Sequence, residues 1–207
     1  MMAVFNVNFA VDDMQGKTVL VFLKSLHLER NYLFHAWQVL DGVANSVESF
    51  SYEPIIETDV TTIGPGDKPI ISPRRAVDPG TLLQAVTPGG LSLSLQPAPV
   101  SLAQMKLTPN QCGVINRTNP YLQLDCNWYV SGQPVVTIPH VDTNMTVSFE
   151  YLPYFYFMVA PPPRVGQTYI VQNFSDMAHY ALPITATEVD VTLTRDSGLW
   201  RFDFQER

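Results

Sequence analysis

The chain is short of charge, of cysteine and of long apolar runs, and each shortage narrows what it can be. Charged residues make up 15% of its 207 residues, against about 25% in an ordinary soluble domain. Wholesale disorder needs high charge and low hydrophobicity; hydrophobic residues make up 46% here, so a packed core is expected. Basic residues are scarcer than acidic ones, with 12 Lys and Arg against 19 Asp and Glu and a formal net charge of −7. The only adjacent basic pair is Arg74-Arg75. A phosphate-binding surface needs clustered cations to displace counterions, so nucleic acid and anionic membranes are not expected partners.

No stretch approaches the roughly 20 apolar residues of a membrane-spanning helix. The longest, residues 152–163, is full of aromatics and prolines. The opening Met-Met-Ala-Val-Phe-Asn-Val-Asn has neither a basic segment nor a long apolar core, so it does not read as a secretory signal. The cytoplasm is therefore the default expectation, with release by another route or on lysis left open. The two cysteines, Cys112 and Cys126, flank Asn119-Pro120. A hairpin over residues 114–116 and 121–125 would set the thiols face to face, whereas a reducing compartment favours two small buried thiols. The sequons at Asn116, Asn144 and Asn173 read as chance matches in a chain without a signal.

What is present is strand after strand. Alternation and β-branched or aromatic enrichment mark residues 4–11, 17–28, 32–40 and 46–56. Residues 32–40 also fit a helical stripe through Leu26, Leu33, Trp37 and Leu40; strand is preferred because the counterpart at 121–130 is strand-like. Residues 63–90 are crowded with Gly64-Pro65-Gly66-Asp67, Asp78-Pro79-Gly80 and Pro88-Gly89-Gly90. They predict a long Pro/Gly-rich connection with one short element near 81–86. Leu91, Leu93 and Leu95 alternate with polar residues, Pro97-Ala98-Pro99 predicts a kink, and Val100 and Leu102 predict a second strand. Further strands are expected over 113–116, 121–130, 135–138, 145–151, 154–159, 167–173, 188–194 and 199–204. The last two join at Arg195-Asp196-Ser197-Gly198, a hairpin signal. The fold class is all-β, an antiparallel β-sandwich, with a first β unit over 1–62, the connection over 63–90 and a second β unit over 91–207.

One pattern recurs. Ser49-Phe50-Ser51-Tyr52-Glu53-Pro54 follows Trp37 and Gly42; Ser148-Phe149-Glu150-Tyr151-Leu152-Pro153 follows Trp128 and Gly132. Phe and Tyr two residues apart share a strand face, and a tryptophan from a preceding strand could pack on them. Internal duplication, with Trp37 and Trp128 in equivalent core positions, stands beside convergence on a common core pattern. For the aromatic pairs a core role outweighs a binding role.

Chemistry is sparse. His27, His35, His140 and His179 form neither an i,i+4 pair nor a His-x-His pair, so no metal site and no cofactor are expected. His35 near Trp37 and His140 near Asp142 are candidate bases or ligands; hydrogen-bonded core or surface histidines are the plainer reading. Asp12-Asp13 lacks the ligand series of a calcium loop. Glu53, Glu57 and Asp59 cluster without a spacing that forces them together. Tyr151, Tyr154 and Tyr156 share residues 151–158 with Phe155 and Phe157, which puts aromatics on both faces of a strand. Either protein covers both faces, or one meets a partner subunit. The expected function is non-catalytic binding or self-association, as a homo-oligomer. The alternatives are a membrane-active protein built on the hairpin at 91–108, and an isomerase or cyclase holding a small apolar ligand in an aromatic cavity.

Overall fold

The computed structural model describes residues 2–25, 32–90, 92–162, 170–171 and 177–207. His27, Leu91, the Asn173 sequon and most of the strand expected over 167–173 lie outside the described residues, as does the Tyr151 side chain. The chain is all-β, as its alternation predicts. In chain order the strands are β1 (Ala3–Phe9), β2 (Thr18–Ser25), β3 (Leu33–His35), β4 (Gln38–Leu40), β5 (Val47–Tyr52) and β6 (Ile56–Ile63). Next come β7 (Pro69–Ile71), β8 (Arg75–Ala76), β9 (Leu82–Val86) and β10 (Ser94–Pro97), then the helix α1 (Val100–Lys106). β11 (Gln111–Asn116), β12 (Leu124–Val130), β13 (Gln133–Val141) and β14 (Thr146–Ala160) follow. The last are β15 (Ile170–Val171), β16 (Ala178–Ala181), β17 (Glu188–Asp196) and β18 (Leu199–Glu206). No helix among the described residues is long and apolar enough to cross a membrane.

By contact the chain divides into two compact units, and neither is continuous in sequence. Unit 1 gathers Met1–Lys24, Phe34–Pro54 and Pro153–Arg207; unit 2 gathers Ser25–Leu33 and Ile55–Leu152. Residues 63–90 therefore lie wholly inside unit 2, and they hold β7, β8 and β9 among their turns.

Unit 1 is built on a four-stranded sheet in the order β18-β17-β1-β5. β1 runs parallel to β17, with Phe5 opposite Val189, and antiparallel to β5, with Phe5 opposite Phe50. Its alternation fixes which face is buried: Ala3, Phe5, Val7 and Phe9 are buried, while Val4, Asn6 and Asn8 turn the other way. The Phe5 ring stacks on Phe50 at 4.9 Å and meets Phe155 of β14 at 4.6 Å and Tyr180 of β16 at 6.2 Å. These rings join the sheet to the layer formed by β16 and the second half of β14. Each buried phenylalanine contributes about 1.5–3 kcal/mol.

Unit 2 repeats the two-layer plan with different strands. One layer runs β13-β12-β6-β7, with β8 also on β6; β10-β9-β11 and the first half of β14 make the other. Leu124, Cys126, Trp128 and Val130 alternate inward on β12. The hairpins β12–β13 and β17–β18 turn through the same two residue types. Ser131 and Gly132 have φ of 52° and 77°, and Ser197 and Gly198 have 50° and 86°. Positive φ at both central residues is the turn whose twist matches paired strands, so the hairpin expected at 195–198 is present.

Four local expectations are corrected. Residues 100–106 form α1 rather than a strand. The apolar shift at Val100 and Leu102 is the first turn of a helix that starts after Pro99, and it packs Ala103, Leu102 and Leu107 on Leu82 and Ile115. The segment 32–40 is two three-residue strands with Trp37 at the bend between them, where its backbone N–H donates to the Val21 carbonyl at 2.7 Å. β14 passes straight through Pro153, whose carbonyl accepts from the Leu182 N–H at 3.0 Å, so the expected break at 152–153 is absent. Finally, the hairpin that would set the thiols face to face is absent: Cys112 lies on β11 and Cys126 on β12, strands of different layers, and both thiols are free and buried, as the reducing-compartment reading expects.

Candidate functional site

The aromatic phrases are core. In unit 1 Trp37 is 2% exposed and meets Phe50 edge-on at 5.5 Å, Tyr52 at 6.2 Å and Phe155 at 5.9 Å. In unit 2 Trp128 is fully buried and stacks on Phe149 at 5.4 Å and 22°. Each tryptophan does pack on the phenylalanine of its own phrase. The settings differ, however: Trp37 sits on a bend, Trp128 inside a strand. The two glycines also do different work. Gly132 takes the positive φ of a turn and has open space around it, whereas a Cβ on Gly42 would stand 2.1 Å from the Phe9 ring. None of these groups is presented to a ligand.

The remaining aromatic candidates are half-buried. Tyr154 and Tyr156 share the face of β14 opposite Phe155 and Phe157. Tyr156 stacks on His179 at 6.0 Å, and the Lys24 ammonium lies 5.3 Å from its ring. Burial, then the neighbouring Tyr154, pushes its phenol pKa up.

His35 and His140 fall in different units. His35 stands on β3 opposite Ile170, and burial lowers its pKa. His140 is exposed at a φ of 59°; its backbone N–H donates to the Asp125 carboxylate at 3.0 Å, and Nδ1 lies 3.1 Å from Gln123 Oε1. It borders an open hollow of about 340 Å³ with Thr61, Ile63 and Tyr121. The thiols are held protonated at neutral pH: burial pushes Cys112 up to about 12 and Cys126 higher still. Among the described residues no three His, Cys, Asp or Glu side chains gather for a metal.

Sequence reasoning missed a polar network on unit 2. On the outer face of β6 and β12, the Arg74 guanidinium covers the Tyr129 ring at 3.5 Å and lies 3.8 Å from both Glu57 and Asp59. Asn127 donates to the Asp59 carboxylate at 2.8 Å and to Thr61 at 3.1 Å, and it accepts from Thr137 at 2.8 Å. Asp59 is 5% exposed, and its oxygens are committed to this lattice. Glu57 and Asp59 converge only because β-strand spacing puts both on one face, two residues apart. The network ties β6, β12 and β13 together. A second feature of unit 2 is an open groove of about 590 Å³ between α1, β9 and β10, lined by Leu82, Ala98, Val100, Ala103 and Leu107.

The sheet edges differ in how they end. In unit 2 the edge strand β7 begins at Pro69 and β10 is four residues long and ends at Pro97. Proline and brevity are common edge protections. In unit 1 the sheet ends at β5, six residues long, and β18, eight residues long; neither holds proline or lysine, and β18, the longer, keeps an unbroken register against β17. Its two-residue turn makes Asp196 and Leu199 a hydrogen-bonded pair, and such pairs alternate. Residues 201, 203 and 205 therefore bond to β17. The N–H and C=O groups of Trp200, Phe202 and Phe204 point to the open side, where no strand pairs with them among the described residues. The side chains of these three residues turn inward but stay half-buried. Phe157 lies 5.6 Å from Phe202 and 5.2 Å from Phe204, and Tyr180 stacks on Phe204 at 5.0 Å. Leu199, Arg201, Asp203 and Gln205 are exposed on the other face. Compared with protein-family models, with curated proteins and with solved structures, the chain matches none.

Proposed function

We propose that this chain is a non-catalytic β-sandwich protein that works by binding or self-association, and that it does so by adding a strand at the open edge of β18. The supporting observation is the row of backbone groups at Trp200, Phe202 and Phe204, backed by aromatic side chains that the chain covers only halfway. Strand addition uses such an edge directly: main-chain hydrogen bonds give affinity, and alternate side chains give selectivity. An edge of this length without proline or lysine otherwise invites indiscriminate pairing, which only its few charges oppose, so its retention on a folded sheet fits a use.

The competing readings have less to stand on. A membrane-inserting hairpin needs about 9–11 residues per strand, and residues 91–108 hold a four-residue strand followed by a helix. An aromatic-lined catalytic cavity requires rings facing a space, and the rings at Trp37, Phe50, Trp128 and Phe149 face one another.

Light scattering of the full chain over a wide concentration range tests the proposal, together with titration of a synthetic peptide of residues 199–206. Association of the chain, or saturable binding of the strand peptide, is expected. A protein that stays monomeric and ignores the peptide would contradict it.

A further inference from the structure

We propose that the partner of this edge is a second copy of β18, laid antiparallel across a twofold axis through Phe202, so that Arg201 of each copy faces Asp203 of the other. This rests on the reading of β18 as the association edge and adds the partner and the register.

The backbone limits the choices. Only Trp200, Phe202, Phe204 and Glu206 direct their N–H and C=O groups outward, so a second copy must set these residues against one another. A twofold axis through Arg201 would stack Arg201 on its own copy, and one through Asp203 would stack Asp203 on its own copy. Like charges directly opposite are destabilising. An axis through Phe204 would bring Arg201 against Arg207. Of the axes through Arg201, Phe202, Asp203 and Phe204, which keep most of the strand paired, only the one through Phe202 places opposite charges together, and symmetry does so twice. Arg201 and Asp203 would then form non-hydrogen-bonded pairs, the kind whose side chains approach most closely.

The inward face fits the same register. Trp200 would lie beside Phe204 of the copy, and Phe202 beside Phe202 of the copy. All three are half-buried, so the pairing would cover aromatic surface that the chain leaves open. Arg201 is free to change partners. Its contact with Asp196, at 3.6 Å, joins two groups that are each more than 60% exposed, and such pairs hold weakly.

The test is charge reversal in the full chain, read by sedimentation equilibrium, with circular dichroism confirming the fold. Wild type is expected to dimerise. Arg201→Asp and Asp203→Arg each set like charges opposite at both symmetric positions, so each alone should weaken the dimer about tenfold or more. The double reversal restores attraction and should recover dimerisation. A mixture of the two single variants should form heterodimers more tightly than either forms homodimers, because both cross-axis pairs then join an acidic side chain of one copy to a basic side chain of the other. Single variants that dimerise like wild type, with the Trp200, Phe202 and Phe204 amides still protected from exchange, would overturn the register and leave the edge reading standing. A wild type that stays monomeric but binds the 199–206 peptide would overturn the second-copy partner, again without touching the edge.

Discussion

Replacing Gly42 by alanine is a sharp test of how tightly unit 1 is packed. Gly42 does not have a positive φ, so the backbone itself accepts alanine; space is what the new methyl lacks. Its Cβ would stand 2.1, 2.2 and 2.3 Å from three carbons at the tip of the Phe9 ring. Carbon atoms rest at about 3.5–4.0 Å, so the ring or the loop must withdraw by about 1.4 Å or more. Phe9 is fully buried at the end of β1, and its ring is rigid. Overpacking of this kind costs about 1–3 kcal/mol, a large share of the roughly 5–15 kcal/mol that holds a domain folded. A loss of about 2 kcal/mol lowers the Tm of a chain this size by about 4–8 °C. Urea and thermal unfolding followed by circular dichroism measure it. Phe9→Leu in the Gly42→Ala background should return part of the loss, because the two changes share one contact. Gly132→Ala is the control: it meets no atom within 4 Å, and its cost of about 1–2 kcal/mol comes from the φ of 77° alone. A Gly42→Ala protein within about 0.5 kcal/mol of wild type, the range of an ordinary surface change, would refute the packing account.

Three further outcomes follow from the same contacts. The Trp128 indole N–H is buried with no acceptor among the described residues, so Trp128→Phe should cost about 1 kcal/mol or less, while Trp128→Ala should cost about 3–5 kcal/mol; equal losses in denaturant titration would contradict this. Burial lowers the His35 pKa, so the unfolded chain binds a proton that the folded chain resists. Stability should be full above the unfolded value near 6.5 and decline as pH falls below it; His35→Gln should flatten that decline, and an unchanged slope would count against the burial. Burial also pushes Cys112 up to about 12 and Cys126 beyond, so neither should react with a disulfide-exchange reagent at pH 8 until the protein is denatured; rapid modification of the native protein would show an open thiol.

What the residues announce is local, and what they conceal is long-range. Strand content is legible in the alternation of β1 and β12, and the β17–β18 hairpin in Ser197-Gly198, because turn chemistry and side-chain period are set by neighbours in sequence. The helix α1 is not, since Val100 and Leu102 have the spacing of a strand and only Pro99 hints at a helical start. Pro153 misleads in the opposite direction: its missing N–H does not interrupt β14. The parallel pairing of β1 with β17 joins residues more than 180 positions apart, and no local signal encodes it. The candidate site belongs to this concealed class. Trp200, Phe202 and Phe204 read as an ordinary amphipathic strand, and only the strand order makes them an edge. The aromatic phrases attract the eye for the reason they carry no site: large rings at strand spacing are the simplest way to fill a core.

The central claim is that β18 adds a strand, and hydrogen–deuterium exchange of the full-length protein as a function of concentration tests it most directly. The amides of Trp200, Phe202 and Phe204 should exchange quickly in dilute protein and become protected as the protein is concentrated, while those of Arg201, Asp203 and Gln205, bonded to β17, stay protected throughout. Rapid exchange at Trp200, Phe202 and Phe204 at every concentration, in a protein that light scattering shows to be associated, would place the association elsewhere and contradict the claim.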